Sequence, residues 1–151
     1  NKENNIVAAA PLAKGEMLPG VLTIFTRTTC KHCVAAKALL QTKPFVRVEI
    51  VELDTVGNGE EACVEAARGV LRELSNSAKT VPQIFLNEVH LPGGNSNLQE
   101  LEAAGKLDEV LRAGLGRVAS VPLPAALINE AVRKAQSQTD ISRAIAADMD
   151  F

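Results

Sequence analysis

The chain has 151 residues, 46% apolar and 23% charged, and a formal net charge of −2. That apolar share can fill the core of one compact unit with extensions, and a slightly acidic balance with scattered Lys and Arg argues against nucleic acid as a partner. No apolar run is long enough to span a membrane, no signal-peptide pattern opens the chain, and three cysteines are too few for a disulfide-stapled secreted scaffold.

Residues 1–20 read as a linker or arm, broken by Pro11, Gly15, Pro19 and Gly20. Within them Ile6-Val7-Ala8-Ala9-Ala10 is apolar enough to dock on a neighbouring surface. Val21-Leu22-Thr23-Ile24-Phe25 is β-branched and apolar, as a buried strand should be. Ala35-Ala36-Lys37-Ala38-Leu39-Leu40 is strong helix-forming sequence. Cys30-Lys31-His32-Cys33 falls between the two. Cys30 is therefore expected at a helix N-terminus, where unpaired N–H groups and the dipole favour a thiolate. Cys33 lies three residues on, on the same face and within disulfide reach. Such a pair attacks a disulfide and then resolves the mixed disulfide itself. Lys31 and His32 are expected to activate Cys30 by placing positive charge beside its sulfur. Stabilising the reduced form in this way would make the pair a stronger oxidant.

Zinc is disfavoured as the reason for the cysteine pair, because a structural site needs four ligands and only Cys63, His32 and His90 accompany it. A structural disulfide is disfavoured too, since closing so short a loop gains little entropy. Cys63, in Glu60-Glu61-Ala62-Cys63-Val64, reads as a small apolar residue on a helix face.

Further along, Val46–Leu53 alternates apolar and charged residues as a second strand, and Gly57-Asn58-Gly59 is a turn. Glu60 to about Leu74 is expected to be helical, with Val64, Ala67, Leu71 and Leu74 on one face. Gln83-Ile84-Phe85-Leu86 and Val89-His90-Leu91 form a hairpin across Asn87-Glu88. Ser96 or Asn97 is expected to cap a helix from Leu98 that Gly105 stops, and Asp108–Arg112 adds a short helix.

Residues 21–113 resemble a glutaredoxin, a branch of the thioredoxin-fold superfamily. The resemblance rests on the Thr26-Arg27-Thr28-Thr29-Cys30 approach, the Cys30/Cys33 pair, Thr80-Val81-Pro82, and Gly93-Gly94 after the hairpin. It implies an α/β thioredoxin fold, a mixed four-stranded sheet flanked by helices, to which the sequence beyond residue 113 adds a C-terminal helical extension. It also implies a cis Val81-Pro82 bond that turns the Val81 backbone toward the catalytic sulfur. By resemblance, Gly93 and Gly94 with Asn95 and Ser96 hold the γ-glutamyl end of glutathione. Arg27 and Lys79 meet its glycyl carboxylate, and Thr80, Val81 and Pro82 hold its cysteinyl portion. The implied activity is glutathione-dependent thiol–disulfide exchange on protein disulfides and glutathionylated proteins, with Cys30 and Cys33 catalytic and glutathione as co-substrate.

This chain departs from the family pattern in three places, one of them an extra residue, Pro92, before Gly93. Lys31 and His32 stand where a Pro–aromatic pair is usual, and uncharged Asn95-Ser96-Asn97 where an acidic pair is usual. Two alternatives stay open. One is a [2Fe–2S] cluster held by Cys30 with glutathione across a dimer; no other metal role is expected. The other is a redoxin reduced by thioredoxin reductase.

Residues 114–151 lie outside the resemblance. Val121-Pro122-Leu123-Pro124 is a stiff link. Leu127, Ile128, Ala131, Val132 and Ala135 stripe one helix, and Thr139 or Asp140 is expected to cap a second bearing Ile141, Ala144, Ile145 and Met149. They are expected to pack on the preceding unit or to lead into a further domain beyond residue 151. Free-thiol chemistry suits a reducing compartment, cytoplasm or plastid.

Overall fold

The computed structural model describes residues 16–149, so the apolar run at 6–10 lies outside the described residues. Four strands, β1 (Val21–Thr26), β2 (Arg47–Glu52), β3 (Gln83–Leu86) and β4 (Val89–Leu91), form one sheet in the order β2-β1-β3-β4. β1 and β2 are parallel, and the other pairings are antiparallel. A parallel step needs a crossover, which α1 (Lys31–Gln41) supplies, while α2 (Glu61–Leu74) carries the chain from β2 to β3. Three helices follow: α3 (Gly94–Ala103), α4 (Leu107–Leu115) and α5 (Pro124–Met149).

The period of two along the central strands divides the core. Leu22 and Ile24 of β1 lie opposite Leu86 and Ile84 of β3, and all four face a layer built from Leu40, Leu98, Leu107, Leu111 and Leu115. Phe25 and Phe85 point the other way and meet edge to face, centroids 5.7 Å apart. On that side they are covered by Cys63, Ala67 and Leu71 of α2 and by Ile128 and Val132 of α5. Each large apolar side chain so enclosed contributes about 1.5–3 kcal/mol. The mixed sheet between two helical layers is the architecture the resemblance implies.

Three local expectations differ from what the chain does. Leu18, placed in the arm from sequence, is buried in the first core cluster, and its N–H donates to the Phe45 carbonyl. α3 starts at Gly94, not at Leu98. Asn97 sits inside its first turn, where the side-chain amide donates to the Pro92 carbonyl at 2.8 Å. α5 runs unbroken from Pro124 through Thr139. Thr139 Oγ1 donates to the Ala135 carbonyl one turn back, satisfying the hydroxyl inside the helix instead of capping a new one. α3 does stop at Gly105, whose φ of 72° closes it with a 2.8 Å bond from Lys106 N–H to Leu101 O.

Candidate active site

The chain leaves β1 at Thr26 and enters α1 at Lys31, and the intervening loop is pinned from the side. Thr28 Oγ1 donates to Asp54 at 2.6 Å, and the Thr28 N–H donates to the same carboxylate. These bonds hold Asp54 below the usual carboxylate range.

Cys30 is the N-cap of α1, with extended backbone (φ −112°, ψ 110°), and its Sγ accepts the Cys33 N–H at 3.2 Å. A sulfur thus takes the place that a hydroxyl or carboxylate oxygen usually fills at a helix start. Burial opposes ionisation of Cys30. It is outweighed by hydrogen bonds from the Cys33 thiol, from the backbone N–H groups of Cys33 and His32, and by the charge of Arg27, so the thiol is held below its ordinary value. Burial, the hydrogen bond its thiol gives to Cys30 and the Cys30 charge together push Cys33 up to about 11. Both are free thiols. Cys30 retains an accessible edge, 8% against 0% for Cys33. The arrangement is a nucleophile backed by a protonated donor.

The largest influences on Cys30 are not the side chains of Lys31 and His32, the expected activating residues. Lys31 and His32 are exposed. His32 contributes through its backbone N–H, and the foremost side-chain cation acting on Cys30 is Arg27. The physical reason is the cap geometry: side chains in the first turn splay outward, whereas the N–H groups point at the capping sulfur.

Val81-Pro82 is cis. The Val81 carbonyl oxygen lies 3.8 Å from Cys30 Sγ. Two hollows adjoin this point and share Ala78 and Thr80. The first, about 540 Å³, is lined by Arg27, Lys79, Thr80 and Val81, together with Arg68 and Arg72 of α2. The second, about 410 Å³, is lined by Thr80, Pro82, Gly93, Gly94, Asn95 and Ser96, with His32 at its side. The residues expected to bind glutathione therefore divide between two adjoining hollows that share Thr80, and of them Val81 reaches the Cys30 sulfur. Gly93 (φ 94°) and Gly94 (φ 57°) are both left-handed, and a Cβ on Gly94 would come within 3.2 Å of the Pro82 carbonyl oxygen. Glycine is needed there for the start of α3 to approach the proline segment.

Behind that segment lies a polar chain that the sequence did not disclose. Gln83, buried, donates from Nε2 to the Thr80 carbonyl at 2.9 Å. Its Oε1 is 2.7 Å from His90 Nε2, which must then carry the proton. Burial keeps His90 below its ordinary value, and its ring packs 5.0 Å from that of Phe85. Sequence reasoning also passed over Arg68 and Arg72. Their spacing of four on α2 was the available signal that they share a side.

The comparisons with known proteins agree with this geometry. The glutaredoxin family profile matches residues 22–91. Glutaredoxin 1 of Rickettsia felis is 36% identical over 90 residues, 60% of this chain and 79% of that protein. The glutaredoxin of Pseudomonas aeruginosa is 39% identical over 92 residues, 61% of this chain and 96% of that protein. Among solved structures, the dithiolic glutaredoxin of Trypanosoma brucei brucei superposes with a TM-score of 0.50 at 32% identity, over 61% of this chain and 87% of that one. A buckwheat glutaredoxin in complex with glutathione superposes with a TM-score of 0.52 at 28% identity, over 66% of this chain and 83% of that one. With its cysteine pair at the mouth of a thioredoxin-fold sheet, this chain belongs to the glutaredoxin family and is a thiol–disulfide oxidoreductase.

Proposed function

We propose that the protein uses glutathione to reduce protein disulfides and glutathione mixed disulfides, with residues 21–113 as the catalytic unit and 114–149 as a helical buttress. The observation that carries this reading is the position of Cys30. Its activated sulfur stands beside the Val81 carbonyl, and Val81 lines a hollow with Arg27 and Lys79 that adjoins one with Gly93 and Gly94. A tripeptide carrying a carboxylate at each end suits that span. The glutathione bound to the buckwheat relative supports the same ligand.

With a glutathionylated protein, the Cys30 thiolate attacks the glutathione sulfur. The target's S–S bond breaks, and its thiolate leaves and takes a proton. A second glutathione thiolate then attacks the Cys30–glutathione disulfide, giving oxidised glutathione and restoring Cys30. With a protein disulfide, Cys30 forms a mixed disulfide with one target sulfur. That step discharges Cys30 and so removes both the charge and the hydrogen-bond acceptor that hold the proton on Cys33. Cys33 then ionises more readily and displaces the target, closing the Cys30–Cys33 disulfide. Two glutathiones reopen it.

Turnover of the mixed disulfide of glutathione with 2-mercaptoethanol, coupled to glutathione reductase, tests the reading. Cys30→Ser abolishes it. Cys33→Ser keeps it and loses reduction of protein disulfides. Absence of turnover in the folded, reduced wild type would refute glutathione use and pass the weight to another reductant.

A further inference from the structure

The loop between β1 and α1 delivers the reacting sulfur at its end, yet burial does not hold it. Thr26 is buried on one side and Cys30 on the other, while Arg27, Thr28 and Thr29 between them are exposed. Its grip comes from outside. The two oxygens of Asp54 accept the Thr28 N–H at 3.3 and 3.2 Å, and one of them also accepts the Thr28 hydroxyl at 2.6 Å. A carboxylate that takes both donors of one residue fixes its backbone and its side chain together.

Asp54 is itself firmly mounted. Leu53 before it is buried in the core on the α2 side, and its N–H donates to the Thr26 carbonyl at 2.9 Å, carrying the β1–β2 pairing past the strand ends. Thr55 after it donates from both its N–H and its hydroxyl to the Glu52 carbonyl, each at 3.2 Å. The turn that follows β2 is therefore a bracket, and Asp54 fastens the loop of the nucleophile to it. The loop has two things to keep in place. Cys30 must stay extended for its sulfur to meet the Cys33 N–H at 3.2 Å, and Arg27 is among the groups that offset the burial of that sulfur.

We propose that Asp54 is a positioning residue for thiol–disulfide exchange: through Thr28 it holds Arg27 and the Cys30 sulfur in the attacking arrangement. The proposal rests on Cys30 as the attacking sulfur and not on glutathione as the reductant. The sign of the effect separates this role from a direct one. A carboxylate acting on Cys30 through its charge alone opposes the thiolate, so removing it would lower the Cys30 alkylation midpoint. Removing a clamp raises it.

The test uses the full chain, reduced beforehand, with the neutral disulfide of 2-mercaptoethanol and no glutathione. Exchange at Cys30 is followed by stopped flow, and the Cys30 midpoint by the pH dependence of iodoacetamide labelling. Thr28→Val deletes the hydroxyl bond without changing any charge. It is expected to raise the midpoint and to slow exchange about tenfold at neutral pH. Thr28→Ser, which keeps the hydroxyl, returns both to their wild-type positions. Asp54→Ala also raises the midpoint and slows exchange, and the double variant is no slower than Asp54→Ala alone, because the two groups act as one clamp. A midpoint that falls in Asp54→Ala would overturn the proposal, as would full additivity of the two losses. So would a lower urea midpoint in Thr28→Val with labelling and exchange unmoved, which would make the clamp a purely structural bond. Thr28→Val alters one exposed side chain and decides the question even where Asp54→Ala does not fold. Exchange that meets these expectations, beside a failure to turn over glutathione mixed disulfides, would uphold the clamp and refute glutathione use.

Discussion

The two thiols of the pair should differ sharply in reactivity, and the size of the difference follows from the site. Cys33 is pushed up to about 11, against 9.0 for an unperturbed thiol. Below pH 9 that leaves it about a hundredth of the ordinary thiolate population. A more basic thiolate is a better nucleophile, and a Brønsted slope near 0.4–0.5 returns about tenfold over the same interval. Cys33 should therefore react about ten times more slowly than an ordinary thiol, before its complete burial is counted. Cys30 moves in the opposite direction, because the hydrogen bonds from Cys33 and His32 and the charge of Arg27 overcome its burial. At pH 7 the thiolate gain outweighs the lost nucleophilicity. Iodoacetamide at limiting ratio, followed by peptide mapping, should thus place the label on Cys30 over Cys33 by more than about tenfold. The Cys30 rate should also level off at a midpoint under 9.0, while that of Cys33 still climbs above it. Equal labelling of the two cysteines, or a Cys30 midpoint at or above 9.0, would refute this account of the site.

Other perturbations separate the contributions. Lys31→Ala with His32→Ala should leave the Cys30 midpoint near its wild-type position, whereas Cys33→Ala, which removes a hydrogen-bond donor to the sulfur, should raise it; the same alkylation titration reads both. Ile128 is fully buried between α5 and α2, so Ile128→Ala should cost about 2–5 kcal/mol in urea unfolding and Ile128→Val about 0.5–1.5; an Ile128→Ala protein as stable as wild type would mean that α5 does not share the core. His90 is held below 6.5 by burial, so its contribution to stability is complete above that value and is lost as the pH falls through its lower folded value; urea midpoints across this window should flatten in His90→Gln. Gln at position 90 can still donate to Gln83, so KM for the mixed disulfide should stay near wild type in His90→Gln and rise in His90→Leu, with the Cys30 midpoint fixed in both; equal KM values would show that the Thr80 carbonyl needs no such support.

What could be read from the sequence follows the range of the physics involved. The strand at Val21–Phe25, the cysteine pair at the start of α1 and the hairpin across Asn87 all depend on neighbours within a few residues, and their patterns carry them. Asn87 adopts φ 54°, and its side chain accepts the Val21 N–H and donates to the Arg117 carbonyl. The turn was visible beforehand, but those partners, far along the chain, were not. The same holds at the site. Asp54 pins Thr28 across 26 residues, and Arg68 and Arg72 reach the hollow from another helix. The first leaves no local signature, and the spacing of four on α2 tells only that the two arginines share a side. Lys31 and His32 show the converse case, since other groups are the leading influences on Cys30. Counting charges near a sulfur along the chain suggests that they set its ionisation, yet neighbours in sequence at a helix start direct their side chains away from the cap. The backbone N–H groups of His32 and Cys33, which any residue but proline possesses, point at the sulfur. A helix start can therefore activate a thiolate with little help from the identity of the two residues between the cysteines. Their side chains lie exposed, His32 beside the second hollow, where they are free to act on whatever docks against the sulfur.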